Sequence, residues 1–283
     1  MVEKNMSYRL SVECFCRLLA PHSFFCKQLI AWLLIVSTSV FAEDKVTLLG
    51  AELSPYAFQE NDQITGLGVE LLQEAAQRIG HSGEITLMPF KRAFQNAITR
   101  KNLLMTPVAR VESREGLLKW AIHYLDDSFF YVTRAGSRKL THGLAREGGL
   151  IGVLAGSAPL ARLKAGGVTN YLEQTRDTAN INMLRIGRIE GWFTSSILLN
   201  GAFKSHPELD PKEFVIGEEQ SRHCVYIVAS NDTSEEILQP WREVFNSMLN
   251  DGTYQQILSR YLDQDLQLML GIGSDLPSGC GRY

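Results

Sequence analysis

Two arginines four apart, Arg110 and Arg114, flank a Glu112-Ser113 turn and are the side chains here best suited to gripping an anion. A guanidinium presents a planar fork of N–H donors that fits a carboxylate or a phosphate with two parallel hydrogen bonds. The arginines follow an apolar run, Leu103, Leu104 and Met105, that reads as a strand and gives way to Thr106-Pro107. Proline has no N–H for the ladder, so the strand should stop or loosen there. A strand end that brings arginines to the mouth of a sheet is where open α/β folds bind ligands. The competing reading pairs Arg114 with Glu112 or Glu115 on a solvated face, and the segment taken alone favours it.

Other chemistries leave no pattern. The six histidines show neither His-x-x-x-His nor His-Glu-x-x-His spacing, so no metal site is legible. There is no Gly-x-Ser-x-Gly elbow, and Gly66-x-Gly68 lacks the third glycine of a dinucleotide loop. No cofactor is expected.

The elements that must position these residues alternate. Residues 46–51 read as a buried strand, 60–63 as a hairpin turn, and Val69, Leu72, Ala76 and Ile79 as the apolar face of a helix stopped by Gly80. A strand over 84–87 and a helix from Phe90 (apolar at Phe90, Phe94, Ala97 and Ile98) precede the strand through Met105. After Arg114, Leu117, Leu118 and Ala121 suggest a new helix, and residues 128–133 a strand. A second α/β set follows. Strands are predicted over 150–154, 168–172, 189–194 and 214–217, and helices after Ser157, over 179–186 and over 195–203, the first with Pro159 in its opening turn. The strand at 225–229 leads to a capping box, Thr233 to Glu236, and a helix with Leu238, Trp241, Phe245 and Met248 inward and Pro240 as a kink. A last helix covers 254–262. Strand–helix alternation with short loops argues for parallel sheets.

The ends bound the compartment. Residues 29–42 are uncharged and mostly apolar, follow Lys27, and end in Val40-Phe41-Ala42. That is short for a membrane span and has the order of a secretory signal, with cleavage expected near Ala42; an uncut anchor is the competing reading. Of 28 Lys+Arg and 31 Asp+Glu, four and two fall in 1–42, leaving a formal charge of −5 on the remainder. A mildly acidic chain argues against a nucleic-acid partner. Cys224 and Cys280 remain after cleavage, either as one disulfide or as two thiols.

Seven short motifs then stand in order. They are Ser54-Pro55-Tyr56, the run 65–72 (TGLGVELL), Pro89-Phe90-Lys91-Arg92-Ala93, the run 109–115 (ARVESRE), Ile151-Gly152-Val153 before Gly156-Ser157, Gly187-Arg188-Ile189-Glu190, and the run 251–257 (DGTYQQI) with Tyr261. Together they resemble the family 3 extracytoplasmic solute-binding proteins, the amino-acid-binding type of ABC transporters, over residues 45–262. The resemblance implies a two-lobed α/β periplasmic binding protein fold of type II kind, with two hinge strands and a ligand cleft between the lobes. Lobe 1 would hold 43–130 and 224–283, and lobe 2 would hold 131–223, after a signal peptide at 1–42. It implies a periplasmic monomer that captures a small carboxylate-bearing solute, an amino acid or a derivative, for an ABC permease.

Residue by residue, the resemblance places Arg114 on the ligand's α-carboxylate and Tyr56 as a stacking aromatic, against a core tyrosine. Arg110 becomes a second anion contact or a salt bridge that holds the loop. Phe90 and Arg92 border the cleft, against core packing and a solvated face. Thr106 donates through its hydroxyl or its backbone serves, and Ser157 binds an anion at a helix start or merely caps it. Ser195 stands where such binders carry the acid for the ligand's ammonium, while Glu190 holds the first, structural acidic position. Trp192 offers a cation–π face or a core indole. Two alternatives share the fold. A dehydratase-like enzyme acting on prephenate or arogenate would need Glu52 as its acid. A sensor would dock, ligand-bound, on a membrane receptor.

Overall fold

The computed structural model describes residues 46–263; the apolar run 29–42, the tail from 264 and Cys280 lie outside the described residues. The first half runs β1 (Thr47–Ala51), β2 (Phe58–Glu60), β3 (Gln63–Thr65), α1 (Leu67–Ile79), β4 (Ile85–Met88), α2 (Phe90–Thr99) and β5 (Leu103–Ala109). A single 3₁₀ turn at Glu112–Arg114 leads to β6 (Leu118–Arg134). Then come α3 (His142–Glu147), β7 (Ile151–Leu154), α4 (Ala158–Ala165), β8 (Tyr171–Gln174), α5 (Thr178–Arg185), β9 (Gly191–Ser195), α6 (Ser196–Ser205) and β10 (Phe214–Ile216). The chain returns through β11 (Ser221–Ser230), α7 (Glu235–Asn250) and α8 (Thr253–Tyr261).

The strands lie in the order β4-β1-β5-β11-β6-β9-β7-β8, with β10 beside β6 and β2-β3 as a separate hairpin. Two parallel sets, β4-β1-β5 and β8-β7-β9, flank the antiparallel pair β11 and β6. β6 changes partner along its length. Residues 118–129 pair with β11, Phe129 to Val132 pair with β9, and Val132 to Arg134 pair with β10. These two long strands join the two lobes.

Each lobe has its own core. Leu48, Leu72, Leu104, Trp241 and Tyr254 are fully or nearly fully buried in the first. In the second, Phe129, Tyr131, Leu163 and Phe193 form one cluster and Ile181, Leu184, Trp192 and Leu199 another. The predicted stripes on α1 and α7 face the first core, and Gly80 ends α1 in the left-handed conformation expected of it.

Several expectations are corrected. Leu118 and Ala121 lie in β6, not in a helix: a strand buried on both faces loses the strict alternation that marks a strand in sequence. β5 runs through Pro107 to Ala109. It loosens there, since Thr106 and Pro107 oppose Ile227 alone between the pairs Val108–Tyr226 and Met105–Val228. The strand expected over 168–172 is β8, three residues later, and α3 was not foreseen. No side-chain capping bond starts α7, whose N-cap is Ser234, and Thr233 is buried below it. The helix continues through Pro240. Among the described residues no helix is long and apolar enough to cross a membrane. Cys224 is buried on β11 and disulfide-bonded.

Candidate functional site

β5 ends at Ala109, and the 3₁₀ turn that follows folds Arg114 back beneath it. The Arg114 side chain is 4% exposed. Its Nη1 donates to the Ala109 carbonyl at 2.8 Å, and its Nη2 donates to the Gly156 carbonyl of the other lobe at 3.2 Å. The guanidinium carbon lies 5.3 Å from the Phe90 ring centre and 4.8 Å from that of Phe94. Those rings stack on each other because they are four apart on α2. No carboxylate pairs with Arg114 among the described residues, and burial lowers its pKa to about 10. It stays a cation at neutral pH, desolvated and without an ionic partner.

Arg114 lines a cavity at the junction of the lobes together with Tyr56, Phe90, Asp127, Ser157 and Ser195. The rest of the wall is mostly apolar, including Leu53, Phe129, Leu154, Leu198 and Val225. The space is about 40 Å³, on a scale where one water needs roughly 10–15 Å³. The lobes are therefore drawn together around a small volume.

Asp127 is the residue sequence reasoning missed. It sits on β6 directly opposite His223 of β11 and is 1% exposed. Its carboxylate accepts from the Tyr56 hydroxyl at 3.1 Å, from the Ser128 amide at 2.7 Å and from the Ser196 hydroxyl at the start of α6. Burial raises its pKa, and the hydroxyls of Ser195 and Ser196, the Ser128 amide and Tyr56 pull it partly back. No cationic side chain pairs with it among the described residues. In sequence it is one of two adjacent acids at the head of an aromatic run, and only the β6–β11 register turns it toward the cavity. His223 beside it is 2% exposed, stacks on Phe129 at 3.9 Å and keeps an Nδ1 without a hydrogen-bond partner. Burial, helped by Arg162 and Arg114, pushes its pKa down to about 3, so it is neutral.

The other singled-out residues divide. Tyr56 and Phe90 are both buried in the first core and exposed to the cavity wall. Ser157 lines the cavity and caps α4, accepting from the Leu160 amide at 3.3 Å and donating to the Leu154 carbonyl at 2.7 Å. Ser195 lines it and caps α6 through the Leu198 amide. Six residues lie outside this cavity. Thr106 is buried against Gly68 and shares a 3.1 Å hydrogen bond with the Tyr124 hydroxyl. Arg110 holds Glu115 with two hydrogen bonds, at 2.9 and 3.2 Å, over the rings of Trp120 and Tyr226. Arg92 is exposed on α2. Glu52 lies 3.8 Å from Arg176 at an outer pocket of about 100 Å³ that also touches Asp177. Trp192 is fully buried and donates to Asp177 at 3.1 Å, and Glu190 pairs with Arg138.

Solved structures share this fold. An ArgBP mutant from T. maritima is 20% identical over 77% of this chain and 95% of its own, with a TM-score of 0.67. The arginine-, lysine-, histidine-binding protein ArtJ from Geobacillus stearothermophilus is 16% identical over 77% and 96%, with a TM-score of 0.68. A histidine kinase sensor domain similar to periplasmic binding proteins is 14% identical over 77% and 96%, with a TM-score of 0.69. At these identities the likeness is one of fold. No curated protein matches the chain. Residues 48–264, most of the chain, match the family described as bacterial extracellular solute-binding proteins, family 3. The protein belongs to that family.

Proposed function

We propose that this protein is a periplasmic receptor that captures a small amino acid or derivative by its carboxylate and delivers it to an ABC permease. Export would follow from the apolar run 29–42, and the receptor would act as a monomer. Lobe 1 would comprise 43–130 and 224–283, and lobe 2 would comprise 131–223. The observation that carries the reading is Arg114. A buried guanidinium with two carbonyl contacts, two aromatic faces and no carboxylate partner among the described residues keeps charge to spare toward the cavity. Burying an unpaired charge costs several kcal/mol, a cost that a ligand carboxylate would offset. Tyr56, Phe90 and Ser157 complete the wall, and Ser195 stands at the start of α6. The amino-acid-binding names among the structural neighbours agree with such a ligand.

The dehydratase-like alternative rests on Glu52, which pairs with Arg176 outside the cavity, and it is not favoured. A membrane-receptor partner in place of a permease uses the same site and differs only in what docks on the closed form.

A thermal-shift panel of amino acids, opines and organic acids on the purified protein tests the reading. Ligand at a hundred times its Kd should stabilise by about 2.7 kcal/mol, several degrees at roughly 2–4 °C per kcal/mol. The shift should vanish in Arg114→Ala. A shift of unchanged size in Arg114→Ala would sink the assignment of the carboxylate contact.

A further inference from the structure

The cavity is lined by two buried ionisable groups of opposite kind, the guanidinium of Arg114 and the carboxyl of Asp127, and Arg114 answers for only one pole of a ligand. Asp127 lines the same cavity from the strand that joins the lobes, and all its observed donors are neutral: three hydroxyls and one amide. The imidazole facing it across the β6–β11 pair does not supply a charge, because His223 is buried against Phe129 and neutral. Neutral donors position a carboxylate without compensating its charge, and a buried carboxylate without a cation is costly. Lobe 2 contributes Ser195 at the place where the family resemblance expects an acid, so no second acid enters from that side. Much of the remaining wall is aliphatic and aromatic, with Leu53, Phe129, Leu154, Leu198 and Val225.

We infer that Asp127, held on the hinge strand rather than on lobe 2, is the acceptor for the ligand's ammonium, and that the ligand is a compact zwitterion with an apolar remainder. The inference rests on the carboxylate reading of Arg114 and adds the second pole of the ligand. The donors around Asp127 come from both lobes: Tyr56 from the loop after β1, Ser195 and Ser196 from the start of α6, and the Ser128 amide from β6 itself. The carboxylate is therefore aligned only when the lobes meet, so recognition of the ammonium is tied to closure. Long cationic side chains have no further acid among the residues lining the cavity.

Calorimetric titration of the full-length protein with matched pairs tests this. The pairs are L-alanine and propanoate, L-leucine and 4-methylpentanoate, and L-phenylalanine and 3-phenylpropanoate. The native protein should bind at least one amino acid about 30-fold tighter than its des-amino partner, as a charged hydrogen bond predicts. In Asp127→Asn that ratio should fall to within about threefold through loss of amino-acid affinity, with des-amino affinity unchanged. Should Asp127→Asn fail to fold, Ser196→Ala and Tyr56→Phe each remove one donor from the carboxylate. Both should weaken the amino acids several-fold more than the des-amino acids. A ratio that survives in all three variants, equal binding of both members by the native protein, or binding of none of the pairs overturns the inference. Binding of both members that survives Arg114→Ala instead counts against the carboxylate contact and leaves the Asp127 ratio readable on its own.

Discussion

Three buried ionisable side chains near the cleft have their pKa moved by burial, and their pH signatures differ in sign. His223 titrates at about 3 in the fold because it is desolvated and faces Arg162 and Arg114. Its unfolded value is near 6.5. The unfolded state therefore binds the extra proton first, and the stability His223 contributes is present above about pH 6.5 and is lost as pH falls toward 3. Asp177 does the opposite. Burial raises it to about 6 against the pull of Trp192, Thr194 and Asn180, so the folded state takes up its proton first and gains stability as pH falls through 6. Asp127, also raised by burial, acts in the same sense. Because these trends offset one another, the native protein should look deceptively flat between pH 7 and pH 5. His223→Gln removes one arm. Urea unfolding at the two pH values should show the native protein losing about 2 kcal/mol relative to His223→Gln on acidification. Equal changes in the two proteins would mean that His223 is solvated in solution.

At the scale of elements, Asp177 ties α5 to β9. It accepts from Asn180 on the helix and from Trp192 and Thr194 on the strand, at 3.1 to 3.2 Å. Asp177→Ala leaves those donors buried without a partner, so it should cost about 2–3 kcal/mol and lower the melting temperature by several degrees. Affinity at the Arg114 cavity should be kept, because Asp177 does not line it. Loss of affinity without loss of stability would mean that the outer pocket takes part in binding. Elements with a single buried face were legible from sequence. The stripes of α1 and α7, the Gly80 stop and Pro159 in the first turn of α4 needed only local periodicity and capping rules. What local pattern does not carry is pairing over long separation. Leu118 and Ala121 read as helical because the strand that pairs along them, β11, lies a hundred residues later and both faces of β6 are largely buried. The same pairing makes Asp127 a cavity residue and not a solvated acid. Thr106 fails in the other direction, since it stands at a strand end in sequence yet is closed off behind Gly68 and Tyr124. Arg114, Tyr56 and Phe90, which line the cavity, were singled out by a motif and not by their surroundings.

Across the whole molecule, the cavity is walled by residues of both lobes. Leu154 and Ile197 of lobe 2 pack into the core of lobe 1. Polar contacts cross with them, from Arg114 to the Gly156 carbonyl, from Ser196 to Asp127, and from Arg176 toward Glu52. Lys204 donates to the Tyr261 carbonyl at 2.6 Å. β6 and β11 are continuous through the junction, so parting of the lobes would break these contacts while both strands stay intact. One close approach leaves no room for a side chain. Gly201 on α6 abuts the Ser54-Pro55 loop, and a Cβ there would lie 2.4 Å from the Ser54 carbonyl oxygen and 2.7 Å from the Pro55 ring. Neither neighbour is the end of a flexible side chain, so room must come from moving one lobe. Gly201→Leu adds bulk there and improves helix propensity, which directs its effect to closure and away from the folding of either lobe. Small-angle scattering should show a ligand-independent, larger radius of gyration for Gly201→Leu. Its ligand affinity should fall at least about tenfold, because the competent closed state becomes a minor population. A variant that contracts on ligand addition and binds as the native protein does would mean that the Ser54-Pro55 loop yields, and that closure does not depend on the small residue at 201.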